Sequence, residues 1–121
     1  MTNVQRLTVQ IFGVKNSAET RAAERFFKER GVTLHLVDLQ AKPMSPGEIK
    51  RFVDKFGLYA LLDTEGKAYV EAGLKYMRMP DPELLLKIEK APKLLRLPLV
   101  RGGKVLSVGK DEVKWKEMLS A

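Results

Sequence analysis

Leu7-Thr8-Val9-Gln10-Ile11-Phe12-Gly13-Val14-Lys15-Asn16-Ser17 changes its period at Gly13. Up to Phe12 the residues alternate and are rich in β-formers, the pattern of a strand. Gly13 ends it, and Val14-Lys15-Asn16 is a short loop. Beyond the loop, Ala22, Ala23, Phe26 and Phe27 recur at helical spacing and form one apolar stripe. Asn16 is read as the N-cap of this helix, with Glu19 three residues on as in a capping box. The helix is predicted over residues 17–30, with Gly31 as its C-terminal stop. Leu34-His35-Leu36-Val37-Asp38-Leu39 then reads as a second strand. A strand, a helix and a strand of this length favour a right-handed parallel crossover.

Further along, Lys42-Pro43-Met44 is a turn and Ser45 caps a second helix. Pro46 sits at its first position, Glu48 at the box position, and Gly57 at its end. Ile49, Phe52, Val53 and Phe56 are its apolar positions. Residues 68–79 fit either helix or loop, and Met79-Pro80-Asp81-Pro82 breaks that segment. A third helix is expected from Asp81 to about Ala91, stopped by Pro92. Leu97-Pro98-Leu99-Val100 and Lys104-Val105-Leu106-Ser107-Val108 flank Arg101-Gly102-Gly103, the pattern of a hairpin around a Gly-Gly turn. A last helix starts near Asp111 and carries Trp115 and Met118. The order β-α-β-α, irregular helical middle, β-β-α is that of the thioredoxin fold. The expected class is therefore α/β, with a four-stranded mixed sheet, flanking helices and a helical insertion in the middle. The whole chain, residues 1–121, is expected to form a single domain.

Composition narrows the function. The chain is 45% hydrophobic and 31% charged, as in water-soluble globular proteins. No apolar run approaches the roughly 18 residues of a membrane helix. Met1-Thr2-Asn3-Val4-Gln5-Arg6 has no basic segment leading into an apolar one, so no secretory signal is read and the expected location is the cytoplasm. The chain contains no cysteine, which excludes disulfides, thiolate metal sites and a cysteine nucleophile of its own. His35 is the one histidine, so no metal site and no metal cofactor is expected. Abundant Lys and Glu without Cys is a composition compatible with a thermophilic source. The 22 basic residues exceed the 15 acidic ones, giving a net charge of +7. That field favours acidic partners and small anions, although a solvated basic surface has the same composition. The charges are interspersed and lack exposed aromatics among them, so nucleic acid is not the partner favoured.

In an α/β sheet the default ligand position is the loop after the first strand, at the carboxyl ends of the strands. Here that loop is Gly13-Val14-Lys15-Asn16-Ser17. Free N–H groups at the helix start, its positive dipole end and Lys15 would favour an anion, and Asn16 or Ser17 could add a hydrogen bond. The plainer alternative is that Asn16 and Ser17 only cap the helix and Lys15 is solvated. His35 alternates with Leu34 and Leu36 and is expected to face away from them, without a functional role.

The stretch Phe12-Gly13-Val14-Lys15-Asn16-Ser17, followed by an amphipathic helix and Gly31, resembles the start of the arsenate reductase family, which includes glutaredoxin-like reductases and the Spx regulators. The resemblance continues through Arg30-Gly31-Val32, Leu34 to Leu39 and Ala41-Lys42-Pro43. Pro92-Lys93-Leu94-Leu95-Arg96-Leu97-Pro98 resembles the family's later segment that ends in Arg-Pro, and Val108-Gly109-Lys110-Asp111 its entry to the last helix. The resemblance implies a thioredoxin-like fold over nearly the whole chain. It also implies a cis peptide bond before Pro98, beside the helix start.

Two departures bear on chemistry. Ser17 stands where the family has its nucleophilic cysteine, and Leu97 where it has the arginine that binds the oxyanion beside the thiolate. Thiolate and guanidinium work as one device, so their joint loss reads as a retired reductase site. Serine needs a base to act as a nucleophile, and His35 is not placed to be one. Arg96 is adjacent to Leu97, and strand alternation would turn it to the opposite face. The expected site is therefore non-catalytic, with Lys15, Asn16, Ser17 and Pro98 as its anion- or ligand-binding residues and no cofactor. The partner expected is a small anion or a protein. By resemblance to the Spx branch, that protein would be RNA polymerase. The alternative is a glutaredoxin-like reductase or transferase working with an external thiol such as glutathione.

Overall fold

β1 spans Thr8–Gly13 and lies at the centre of the sheet. In this computed structural model residues 7–120 are described; residues 1–6, read above for a signal segment, lie outside them. β2 (Thr33–Asp38) pairs parallel with β1, Val9 opposite Leu34. β3 (Leu99–Gly102) pairs antiparallel with β1 on its other side, Phe12 opposite Leu99. β4 (Val105–Val108) closes the order β2-β1-β3-β4 as an antiparallel edge. This is the mixed four-stranded sheet expected from the element order.

α1 (Ala18–Glu29) makes the crossover between β1 and β2. Its N-cap is Ser17, whose hydroxyl accepts a hydrogen bond from the Thr20 N–H at 3.1 Å. The expected Asn16–Glu19 box is therefore replaced by a cap one residue later. The reason lies in the turn before it, where the Ser17 N–H donates to the Val14 carbonyl and so keeps Ser17 outside the helix. Gly13 lets α1 approach the strand, because a Cβ there would run into the Thr20 side chain.

α2 (Pro46–Phe56) begins with the capping box read from the sequence. Ser45 Oγ accepts from the Glu48 N–H at 3.2 Å, and the Ser45 N–H donates to Glu48 Oε1 at 2.9 Å. The ambiguous middle resolves into α3 (Lys67–Glu71) and a 3-10 turn at Leu74–Tyr76. α4 (Asp81–Lys90) follows, and then a 3-10 turn at Pro92–Leu94, so Pro92 ends one helix and opens another turn. β3 starts two residues later than read, at Leu99. Gly102 pairs with Val105, so the hairpin turn is Gly103-Lys104 rather than Gly102-Gly103. α5 (Glu112–Ser120) is capped by Asp111, whose carboxylate accepts from the Lys114 N–H at 3.1 Å.

The sheet separates two cores. One packs Val9, Ile11 and Val100 against Ala23, Phe26, Phe27, Trp115 and Met118 of α1 and α5. The other packs Phe12 and Leu99 against the helical segments from α2 to the Pro92–Leu94 turn, with Phe52, Leu61, Leu84, Ile88 and Leu94 buried. Full burial of one such side chain contributes about 1.5–3 kcal/mol, so both faces hold the sheet. His35 is on the exposed side of β2, within 3.1 Å of the Gln10 side chain.

Candidate functional site

A groove of about 490 Å³ opens at the carboxyl end of β1, over the start of α1. Asn16, Ser17, Ala18 and Glu19 form its floor on one side. Leu95, Arg96 and Leu97 face them from the segment before β3, and Asp63, Lys67, Lys93 and Lys110 stand around the mouth. Ser17 is half-buried and its oxygen is engaged as the helix cap, which leaves its hydroxyl hydrogen to donate. Among the described residues, the Ala18 and Glu19 N–H groups have no hydrogen-bond acceptor. They are the open donors that a helix start presents to an anion.

The residues named from the sequence divide. Asn16 and Ser17 line the groove. Lys15 is exposed and does not; its carbonyl accepts a hydrogen bond from Arg21 at 2.9 Å. Pro98 is buried behind the groove, at the end of β3 nearest Gly13, and the Leu97–Pro98 peptide bond is cis. Its carbonyl accepts from the Gly109 N–H at 2.9 Å, which ties the segment before β3 to the loop carrying Lys110. Leu97 is 8% exposed and belongs to the core beneath the groove.

Arg96 is where sequence reasoning misled. Strand alternation would turn it away from the site, but residues 96–98 lie between an isolated bridge of Leu95 to Leu62 and the start of β3, and are not strand. The Arg96 N–H donates to the Leu61 carbonyl at 2.7 Å, and its side chain passes over Gly109 into the groove lining. The groove's cations Lys67, Lys93 and Lys110 were also missed, because they come from three distant segments and only the fold assembles them. Among the described residues, Lys67, Lys93 and Arg96 make no salt bridge, while Lys110 lies 3.8 Å from Glu112. Glu19 and Asp63 reduce the positive field without cancelling it. No group of three or more His, Cys, Asp or Glu able to hold a metal ion occurs among the described residues. No helix there is long and apolar enough to cross a membrane.

A sequence profile of the ArsC family matches residues 12–118, from the end of β1 to the end of the last helix. The chain belongs to the ArsC family. It is 27% identical over 115 residues to the global transcriptional regulator Spx 2 of Oceanobacillus iheyensis, covering 93% of this chain and 84% of that protein. Among solved structures, an arsenate reductase from Vibrio cholerae superposes with a TM-score of 0.79 at 19% identity, covering 94% of this chain and 99% of that one. A Staphylococcus aureus protein, SACOL0876, superposes with a TM-score of 0.71 at 27% identity, covering 93% and 99%. The fold is thus thioredoxin-like, as in the arsenate reductases. Within the family, this chain has Ser17 at the helix start and no cysteine anywhere.

Proposed function

We propose that this ArsC-family protein has given up thiol reductase chemistry and binds a small oxyanion in the groove over α1. The observation that carries this reading is the groove itself. It joins the Ser17 hydroxyl and the two open N–H groups of α1 to Lys67, Lys93 and Arg96. Such a site can hold a tetrahedral anion by charge-assisted hydrogen bonds but has no group to pass electrons to it. In the arsenate reductases the equivalent anion meets a thiolate; here it meets a neutral hydroxyl, which favours retention over reaction. Asn16 and Ser17 are the groove residues foreseen from sequence, and Arg96 takes the part first assigned to Lys15. Pro98 acts from behind, by fixing the Leu97 edge.

A regulatory role through a protein partner is the second reading, and the Spx 2 relative favours it. By the Spx resemblance that partner would be RNA polymerase, and the location cytoplasmic. The anion groove and a partner surface are compatible, since one could report the occupancy of the other.

The test is a titration of the protein with phosphate and with arsenate, followed by amide NMR shifts. Shifts should centre on Ser17, Ala18 and Glu19, and Arg96→Glu should weaken binding about 10-fold or more, as for a lost charge-assisted contact of about 1.5–3 kcal/mol. The same preparation should reduce neither arsenate nor a disulfide, with or without glutathione. Turnover with glutathione would favour the external-thiol enzyme instead, and absence of any shift would remove the anion site.

A further inference from the structure

Next to the basic groove lies a second, very different space. A partly open cavity of about 220 Å³ lies between the start of α2 and the end of α4. Leu39, Met44, Ile49, Leu85, Leu86 and Ile88 supply most of its wall, and its one charged residue is Glu89. Leu86 is 60% exposed at the rim. Pro43, Pro46 and Pro92 complete the lining.

The two spaces are connected. Leu39, Pro43, Glu89 and Pro92 line both the cavity and a shallow trough beside it. Ala68 and Lys93 line both that trough and the basic groove. Leu95 borders the cavity and the groove directly. One continuous depression therefore runs from an apolar end to a cationic end.

We infer that the ligand of this depression is a soluble amphiphilic anion, with a phosphate-like head at Lys93, Arg96 and Ser17 and an apolar tail in the cavity. The inference rests on the anion reading of the groove and adds the chemistry of the ligand's other end. Its main support is charge complementarity along one path. Glu89 stands at the junction, where it repels an anionic head and favours the seating of that head farther on, among the cations. The cavity wall argues against an extended polypeptide tail. Prolines have no N–H, so the rim at residues 43, 46 and 92 offers an added strand no backbone donors. The leucine and isoleucine walls would leave an extended peptide's amides without partners, at a cost that a hydrocarbon chain does not incur. A tail in the cavity would also cover Leu86.

The experiment compares inorganic phosphate, octyl phosphate below its micelle concentration, and octanol, each titrated into the full chain by calorimetry. Octyl phosphate should bind at least 10-fold more tightly than either of the others. Leu86→Glu, at an exposed position that the fold tolerates, should remove that gain and leave phosphate affinity unchanged. Met44→Glu at the opposite wall should do the same. Arg96→Glu should weaken phosphate and octyl phosphate alike. Equal affinity for phosphate and octyl phosphate would overturn the inference while the anion groove stands. Octanol binding as well as octyl phosphate, with phosphate inert, would overturn the anion groove and with it the amphiphile. A gain that survives both glutamate variants, or binding to phosphatidate vesicles without binding of the monomeric probe, would also overturn it.

Discussion

Beneath α1 and α5, one face of the sheet is closed by aromatic packing. The rings of Phe26, Phe27 and Trp115 lie 5.0 to 6.0 Å apart, and Arg30 covers Phe26 with its guanidinium carbon 3.8 Å from the ring centre. The other face is covered by short helical pieces from α2 to the Pro92–Leu94 turn. Its helices meet imperfectly and leave the cavity, the trough and the groove between them. Both faces hold the sheet, but only the second also presents a depression. Both pack against the same strands, so the difference lies in the covering layer and not in the sheet.

The closed face and the rim of the depression should respond unequally to truncation. Trp115 is 1% exposed, and Trp115→Ala should cost about 3–5 kcal/mol, the range for emptying a buried aromatic site. Leu86→Ala on the other face should stay within about 0.5 kcal/mol, as for exposed positions generally. Thermal or urea unfolding of the two variants measures this. A loss at Leu86 comparable to that at Trp115 would mean that Leu86 is covered in solution and the cavity closed there.

The next effect is smaller and sits at the border between the faces, at the start of α1. Because Ser17 caps the helix, Ser17→Ala should lose about 1 kcal/mol of stability. Asn16→Ala should lose no more than about 0.5 kcal/mol, since its side chain makes no described hydrogen bond. The reverse ranking in denaturant melts would restore Asn16 as the cap.

This pair of residues also illustrates what the sequence allowed. The strand-to-helix change of period at Gly13, the Ser45–Glu48 box and the hairpin order all depend on contacts within a few residues, and they were legible. Asn16 and Ser17 are both good caps, and only the turn from Val14 to Ser17 decides between them. Arg96 was assigned to the wrong side because Leu97-Pro98 looks like strand, whereas residues 96–98 are a connection whose Arg96 N–H is bonded to the Leu61 carbonyl. Lys67, Lys93 and Lys110 carry no local mark at all. They are ordinary surface lysines until α3, the Pro92–Leu94 turn and the loop before α5 are brought to one opening. The cavity is illegible for the same reason, since a gap between helices is a property of packing and not of periodicity.

The finest test asks whether the α1 start is an anion site or only a capped helix. Ser17→Cys places a thiol at the N-cap, where the helix dipole and the open N–H groups act on whatever charge is there. A free thiol titrates near about 8.5, and helix N-termini lower this to about 7 or below. The single variant should therefore titrate about one unit or more below free cysteine, read from thiolate absorbance or alkylation rate against pH. Adding Arg96→Ala removes a positive charge facing the thiolate, so the pKa should rise again. That rise should be only a few tenths of a unit, because the groove is open to water and exposed charges interact weakly there. Raising the salt to about 1 M, where the screening length is about 3 Å, should abolish the Arg96 difference and leave most of the helix contribution. A single variant that titrates like free cysteine would reduce Ser17 to a cap and deprive the groove of its anchor. A rise after Arg96→Ala as large as the whole depression would transfer that anchor from the helix to the arginine.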